Sequence, residues 1–273
     1  MKVYTSIIII VLLLSFSVQA GLIVKMAQEV QGVNVKSQQT MFIEKDRLRM
    51  EMSGEEENQT IIFRGDKNVF WVIDSEKKSY FEMTQDDIVK LKSQMENMQK
   101  MMMEQMKNMP EEQRKMMQDM MPSNMSTEKK EKPIYTKKAG GVKVGNWTTT
   151  HYEGTKQGKK SDDLWTVDWS QAGFNRGDFA VMTKMADFFS ALSQEATDFM
   201  KIGSEDWEKE MGISGMPVRW IDYLEGGGTS EGSVQDISQK NLDASLFELP
   251  AGFKKDQSPW EQKGQGMNPY MQE

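Results

Sequence analysis

The sequence predicts an α+β fold in which an antiparallel sheet is joined by amphipathic helices, and three observations predict it. Between Val33 and Met83, short apolar runs alternate with period two and are separated by brief polar turns. From Ile88 to Met109 the period lengthens to that of a helix. Beyond Gly141 the alternating runs return, interrupted by a second helical stripe.

The elements follow in chain order. Met1 and Lys2 lead into the apolar run Ile7 to Leu14, and Val18-Gln19-Ala20 ends it in small residues. That pattern predicts a secretory signal peptide over 1–20, cleaved after Ala20 and too short to span a bilayer. Strands are expected near 34–44, 47–53, 59–65, 68–74 and 78–83. In Arg47-Leu48-Arg49-Met50-Glu51-Met52, for example, the apolar side chains all fall on one face. Between the strands lie polar turns such as Gly65-Asp66-Lys67-Asn68.

Ile88, Leu91, Met95, Met98, Met102, Met106 and Met109 then fall at spacings of three and four, a narrow stripe on one helix face. Thr84 is placed to cap that helix ahead of Asp86 and Asp87. Pro110 breaks the pattern, and Glu111 to Met121 can resume it. The Met-rich helical insert therefore covers 84–121, and a polar linker covers 122–133. A second β portion runs from Gly141 to Trp169, with a hairpin turn inside Gly154 to Ser161. The stripe Val181, Met185, Phe188, Leu192 and Phe199 predicts a helix over about 178–200, with Asp178 at its start. Val218 to Leu224 is strand-like, Ser233 to Ser238 can pair back on it, and Leu246 to Pro250 closes a single domain spanning 21–253. Residues 254–273 have little to bury and are expected to be a flexible tail.

Composition narrows the function. The chain has 34 Lys+Arg, 41 Asp+Glu, one His and no Cys. The leader holds one of the lysines and no acid, so cleavage leaves the chain still more acidic, a poor partner for nucleic acid. Without Cys there are no disulfides and no thiolate chemistry, and His151 alone cannot build a multi-histidine metal site. No cofactor is implied. No G-x-S-x-G or H-E-x-x-H occurs, and Gly154-Thr155-Lys156-Gln157-Gly158-Lys159-Lys160 fails the phosphate-loop spacing. His151 reads as a satisfied surface or edge residue, and Asp162-Asp163 as an acidic turn. A non-enzymatic protein is expected.

Methionine is the strongest signal, with twelve in the 31 residues from Met95 to Met125 and 25 in all. One reading is an ordinary core-facing helix. A second is a deformable apolar wall, because unbranched polarizable side chains re-pack around varied ligands. A third is a soft thioether site for Cu(I) or Ag(I), drawn from Met95, Met98, Met101, Met102 and Met106. The aromatics Phe70, Trp71, Trp147, Trp165, Trp169, Trp220 and Tyr223 lie on expected strands, where they serve either sheet packing or an apolar cavity under helices.

Phe247-Glu248-Leu249-Pro250-Ala251-Gly252-Phe253 resembles the closing strand and turn of LolA-like periplasmic carriers. Arg47 to Glu51, Val72 to Asp74 and Lys77 to Tyr80 resemble the early strands of the domain of unknown function 4412 family (DUF4412). Val142 to Trp147 and Leu164-Trp165 resemble its middle strands. The resemblance implies a half-open antiparallel β-barrel, LolA-like, with helices covering the concave face and an apolar space between. In such relatives that space holds acyl chains of lipids or lipoproteins. The expected protein is thus periplasmic or secreted, with no transmembrane anchor once its leader is removed. It would bind a hydrophobic small molecule or lipoprotein acyl chains through Met95, Met98, Met102, Met106 and Met109, with Phe188 and Leu192 opposite. The alternatives are the thioether metal site and an envelope protein-interaction scaffold.

Overall fold

A computed structural model describes residues 20–31, 35–54, 58–107, 109–111, 132–192, 199–201, 204–224 and 227–257. Twelve strands and three helices are described. The strands are β1 (Gly21–Val30), β2 (Val35–Ile43), β3 (Arg47–Gly54), β4 (Asn58–Arg64), β5 (Val69–Asp74), β6 (Ser79–Thr84), β7 (Ile134–Val144), β8 (Trp147–Lys156), β9 (Lys159–Val167), β10 (Met216–Tyr223), β11 (Thr229–Lys240) and β12 (Lys254–Lys255). The helices are α1 (Gln85–Lys107), α2 (Ala180–Phe189) and α3 (Glu205–Met211).

All strands form one open sheet in the order β12-β6-β5-β4-β3-β2-β1-β11-β10-β9-β8-β7, antiparallel except where β12 joins β6. Two meanders, β1–β6 and β7–β11, meet through the pairing of β1 with β11. The five early strands expected from alternation match β2–β6 closely. β1, the first half of β7 and α3 were not anticipated: β1 follows directly on the apolar stretch expected as a leader, and α3 is too short to show a period.

The topology explains the Met-rich insert. β6 and β7 lie near opposite ends of the sheet, ten strand spacings apart, which is ~48 Å if laid flat. The 23 residues of α1, ~35 Å long, form the described part of the connection between them, and α1 packs beside β6. Thr84 starts α1 as expected: its hydroxyl donates to Asp87 Oδ2 at 2.7 Å, and its amide donates to the same oxygen at 2.9 Å. Burial works against the Asp87 charge, but these bonds outweigh it and hold the carboxyl below the usual range. The expected second helix beyond Pro110 and most of the linker lie outside the described residues. So do residues 1–19, within the stretch expected as a leader.

Register sorts the side chains into faces. Leu22, Ile43, Leu48, Phe63, Phe70 and Met83 are successive cross-strand neighbours from β1 to β6, one apolar row. That row joins Val181, Met182, Met185 and Phe188 of α2 and Ile88 of α1 in the largest core. Phe188 meets Phe63 edge-on at 5.5 Å between ring centroids, and Phe189 meets Phe70 at 5.0 Å. The opposite face of this meander carries Ile62, Trp71 and Ile73, which the closing segment covers with Phe247, Leu249 and Phe253. Arg49 Nη1 donates to the Leu246 carbonyl at 3.1 Å, and Arg64 Nη1 to that of Phe247 at 3.2 Å. The alternating arginines of β3 and β4 thereby fasten the chain's last turn to the sheet. The segment expected as a tail begins with β12 paired to β6, and residues beyond 257 are outside the described set.

In the second meander the β8–β9 turn has only two residues, Gln157 and Gly158, both with positive φ (51° and 72°). That is the tight hairpin geometry whose twist suits the strands. Asp162 and Asp163, expected in an acidic turn, instead lie within β9 and are buried, because the turn closes at 157–158.

Candidate functional site

Along α1 the structure grades the methionine stripe. Met106 is 3 % exposed, whereas Met95, Met98 and Met102, and Met109 beyond the end of the helix, are half-buried. Met101, off the stripe, is 61 % exposed. Phe188 is buried and Leu192 half-buried in the core beneath α2, and the start of α1 reaches that core through Ile88. Among the described residues, the five methionines of the stripe do not belong to that cluster. The structure therefore brings Phe188 and Leu192 together and sets the methionine stripe along a separate length of helix. Of the residues named for a thioether site, Met95, Met98, Met102 and Met106 share one face of α1, and Met101 does not.

Two clefts stand out among the described residues, and neither is lined by these side chains. One, of about 530 Å³, lies at the rim of β4–β6. The other, of about 290 Å³, is bounded by Arg176, Glu205, Glu208, Lys209 and Ile213. Glu208 is the bolt of α3. Its Oε1 accepts from Trp169 Nε1 (2.7 Å) and from the Gly215 amide (3.1 Å), while Oε2 is held by Arg176. Ser204 caps α3 by accepting from the Trp207 amide at 3.1 Å.

The second meander bears a polar cluster that sequence reasoning did not assemble. His151 of β8 and Trp165 of β9 are register partners with rings stacked at 4.6 Å, and Arg219 of β10 lies 4.7 Å from the indole centroid. Arg219 Nη2 reaches Glu231 of β11 at 2.6 Å, so one ladder crosses four strands. Beside it, Asp163 Oδ1 meets His151 Nε2 at 2.8 Å, and Oδ2 accepts from Tyr223 Oη at 2.7 Å and from Lys160 Nζ at 2.6 Å. Burial opposes the Asp163 charge, but Lys160, then Tyr223, then His151 prevail and hold its carboxyl low; Lys160 is pushed up in turn. The opposite face of these strands bears Tyr152, Leu164 and Trp220, packed against Trp207 and Ile213. His151 is thus a satisfied residue on the sheet, as its lone occurrence suggested. Asp163 thereby ties β8, β9 and β10 together through His151, Lys160 and Tyr223, an arrangement that rigidifies the sheet. The spacing of His151, Asp163 and Tyr223 carries no signal of this, since only strand pairing juxtaposes them. Among the described residues, no group of three His, Asp or Glu side chains is placed to hold a metal ion.

An open antiparallel sheet of two meanders, with a long helix after β6 and an arginine-fastened closing segment, defines the class of fold. The chain belongs to the family described as Domain of unknown function (DUF4412), which matches residues 82–253. The middle strands and the Phe247–Phe253 closing segment fall inside that stretch. The strings at 47–51, 72–74 and 77–80, expected to carry the same resemblance, lie ahead of it. They are nonetheless part of the same sheet through the β1–β11 pairing. A comparison with curated proteins found no match. Among solved structures, the chain is similar to an uncharacterized conserved protein from Thermus thermophilus. The identity is 8 %, the coverage 88 % of this chain and 91 % of that one, and the TM-score 0.42.

Among the described residues, no helix is long and apolar enough to cross a membrane.

Proposed function

We propose that this chain is an exported, non-enzymatic protein that holds a lipid, an acyl chain or a lipoprotein's acyl chains between its sheet and its long helix. The sheet would be a half-open barrel of the LolA-like kind, with α1 as a movable cover. One observation carries the reading: α1 keeps Met95, Met98 and Met102 half-buried and Met106 buried along one face, apart from the three apolar clusters of the sheet. Such side chains gain about 1.5–3 kcal/mol each on full burial. A ligand that completed that burial would be retained, and their flexibility would let the helix adapt to its shape. Export is supported by the leader pattern, and cleavage after Ala20 would leave β1, which begins at Gly21, whole.

The test replaces Met95, Met98, Met102 and Met106 with Gln and measures uptake of a fluorescent fatty-acid probe. Uptake should be lost while the far-ultraviolet β signature persists; undiminished uptake would remove the stripe from the binding wall. Mass spectrometry of an organic extract of the exported protein should identify the bound species. A second reading, thioether binding of Cu(I) or Ag(I), draws on Met98, Met102 and Met106 following one another at i,i+4. It requires a saturable Cu(I) stoichiometry, and non-specific uptake alone would end it.

A further inference from the structure

We propose that the outer edge of β7 is a docking edge for an extended acidic peptide segment, taken up as one more antiparallel strand of the sheet. β7 ends the strand order and is paired with β8 alone. Among the described residues, its other side offers unpaired amides and carbonyls, and most of its eleven residues are exposed. Along such an edge main-chain hydrogen bonds supply affinity, and side chains at alternate positions supply choice.

Charge names the partner. The chain as a whole is acidic, with 34 Lys+Arg against 41 Asp+Glu, but within 132–160 seven lysines stand against Glu153 alone. β7 carries three of those lysines and no acid. Lys138 is engaged, its Nζ 2.8 Å from Glu153. Lys137 and Lys143 meet no carboxylate among the described residues, and Lys143 Nζ donates to the neutral Thr148 hydroxyl at 2.7 Å.

Register fixes their arrangement. Lys137, Gly140 and Lys143 are matched to Tyr152, Thr150 and Thr148 of β8, so all three lie on one face. Shifts of register after Lys137 and after Gly140 are what bring residues three apart onto the same side. A Cβ on Gly140 would meet nothing within 4 Å, so the space between the two lysines is open. The segment that fits carries acids at i and i+4, opposite Lys143 and Lys137, and a bulky residue at i+2 over Gly140. The same spacing disfavours a second copy. Two β7 edges paired about Gly140 would set each Lys137 opposite the other's Lys143, like charges directly across the ladder.

Fluorescence anisotropy of the full chain at low salt tests this with a labelled Thr-Glu-Val-Tyr-Val-Glu-Thr peptide. It should saturate. A lysine-for-glutamate peptide, a peptide with its acids three apart on opposite faces, and a copy N-methylated at its edge-facing amides should each bind far more weakly. Lys137→Glu combined with Lys143→Glu, both at exposed positions, should weaken the acidic peptide about tenfold and let the lysine peptide saturate instead, with the melting temperature unchanged. Absence of saturation, indifference to acid spacing or to N-methylation, or an unchanged preference in the double variant would overturn the proposal. So would capture of phosphatidylglycerol vesicles without peptide saturation, which would assign the lysines to a membrane surface. Fatty-acid probe uptake should be the same in the double variant as in the unaltered chain, so failure here and failure of the lipid reading are told apart.

Discussion

The carboxylate of Asp163, buried in β9, holds His151 on the neighbouring strand across 2.8 Å, and the same carboxylate is the meeting point of Tyr223 and Lys160. Asp163→Asn should therefore strip three partners of their acceptor charge and cost about 2–3 kcal/mol at neutral pH by urea denaturation. The sign of the pH dependence follows from the carboxyl being held low in the fold. The stabilisation is complete above the unfolded value of ~4 and drains away as pH falls through the folded value. The gap between the two proteins should accordingly narrow in acid. A gap that is constant with pH would show that the Asp163 charge contributes nothing.

Gly232 of β11 lies directly under the indole of Trp220: a Cβ there would stand 2.0 Å from Cζ2. Trp220 packs against the cluster of Leu164 and Trp207 and has limited room to retreat. Gly232→Ala is expected to cost about 1–3 kcal/mol, with a change in tryptophan emission. An unaltered denaturation midpoint together with unaltered emission would contradict that packing.

Met106 and Met101 are five residues apart on α1 and differ sharply in exposure, 3 % against 61 %. Met106→Ala should cost about 2–4 kcal/mol by loss of burial and the cavity left behind. Met101→Ala should stay within ~0.5 kcal/mol. Equal effects on the unfolding midpoint would mean that α1 does not lie down with this face inward.

Much of the architecture was legible beforehand because local chemistry repeats. Period-two alternation between polar turns located β2 to β6 to within a residue or two. Three-four spacing located α1, and Thr84 its start. Other elements gave little local signal. The 3.6-residue period has barely two turns of α3 to act on, and β1 follows an apolar stretch of sequence that masks its alternation. The misreading of Asp162-Asp163 has the same root. Charged neighbours look like a turn until strand pairing supplies Lys160, Tyr223 and His151 to compensate them.

By itself, then, the order of residues determined which segments alternate, which coil, and where the methionines gather, since those properties depend on neighbours a few positions away. Tertiary structure alone decided that β1 meets β11 some two hundred residues later, joining two meanders into one sheet. It also decided that Asp163 becomes a hub for residues of three strands. The reason is physical: burial and hydrogen-bond satisfaction are properties of what lies nearby in space, and contacts between distant segments leave no periodicity in the chain.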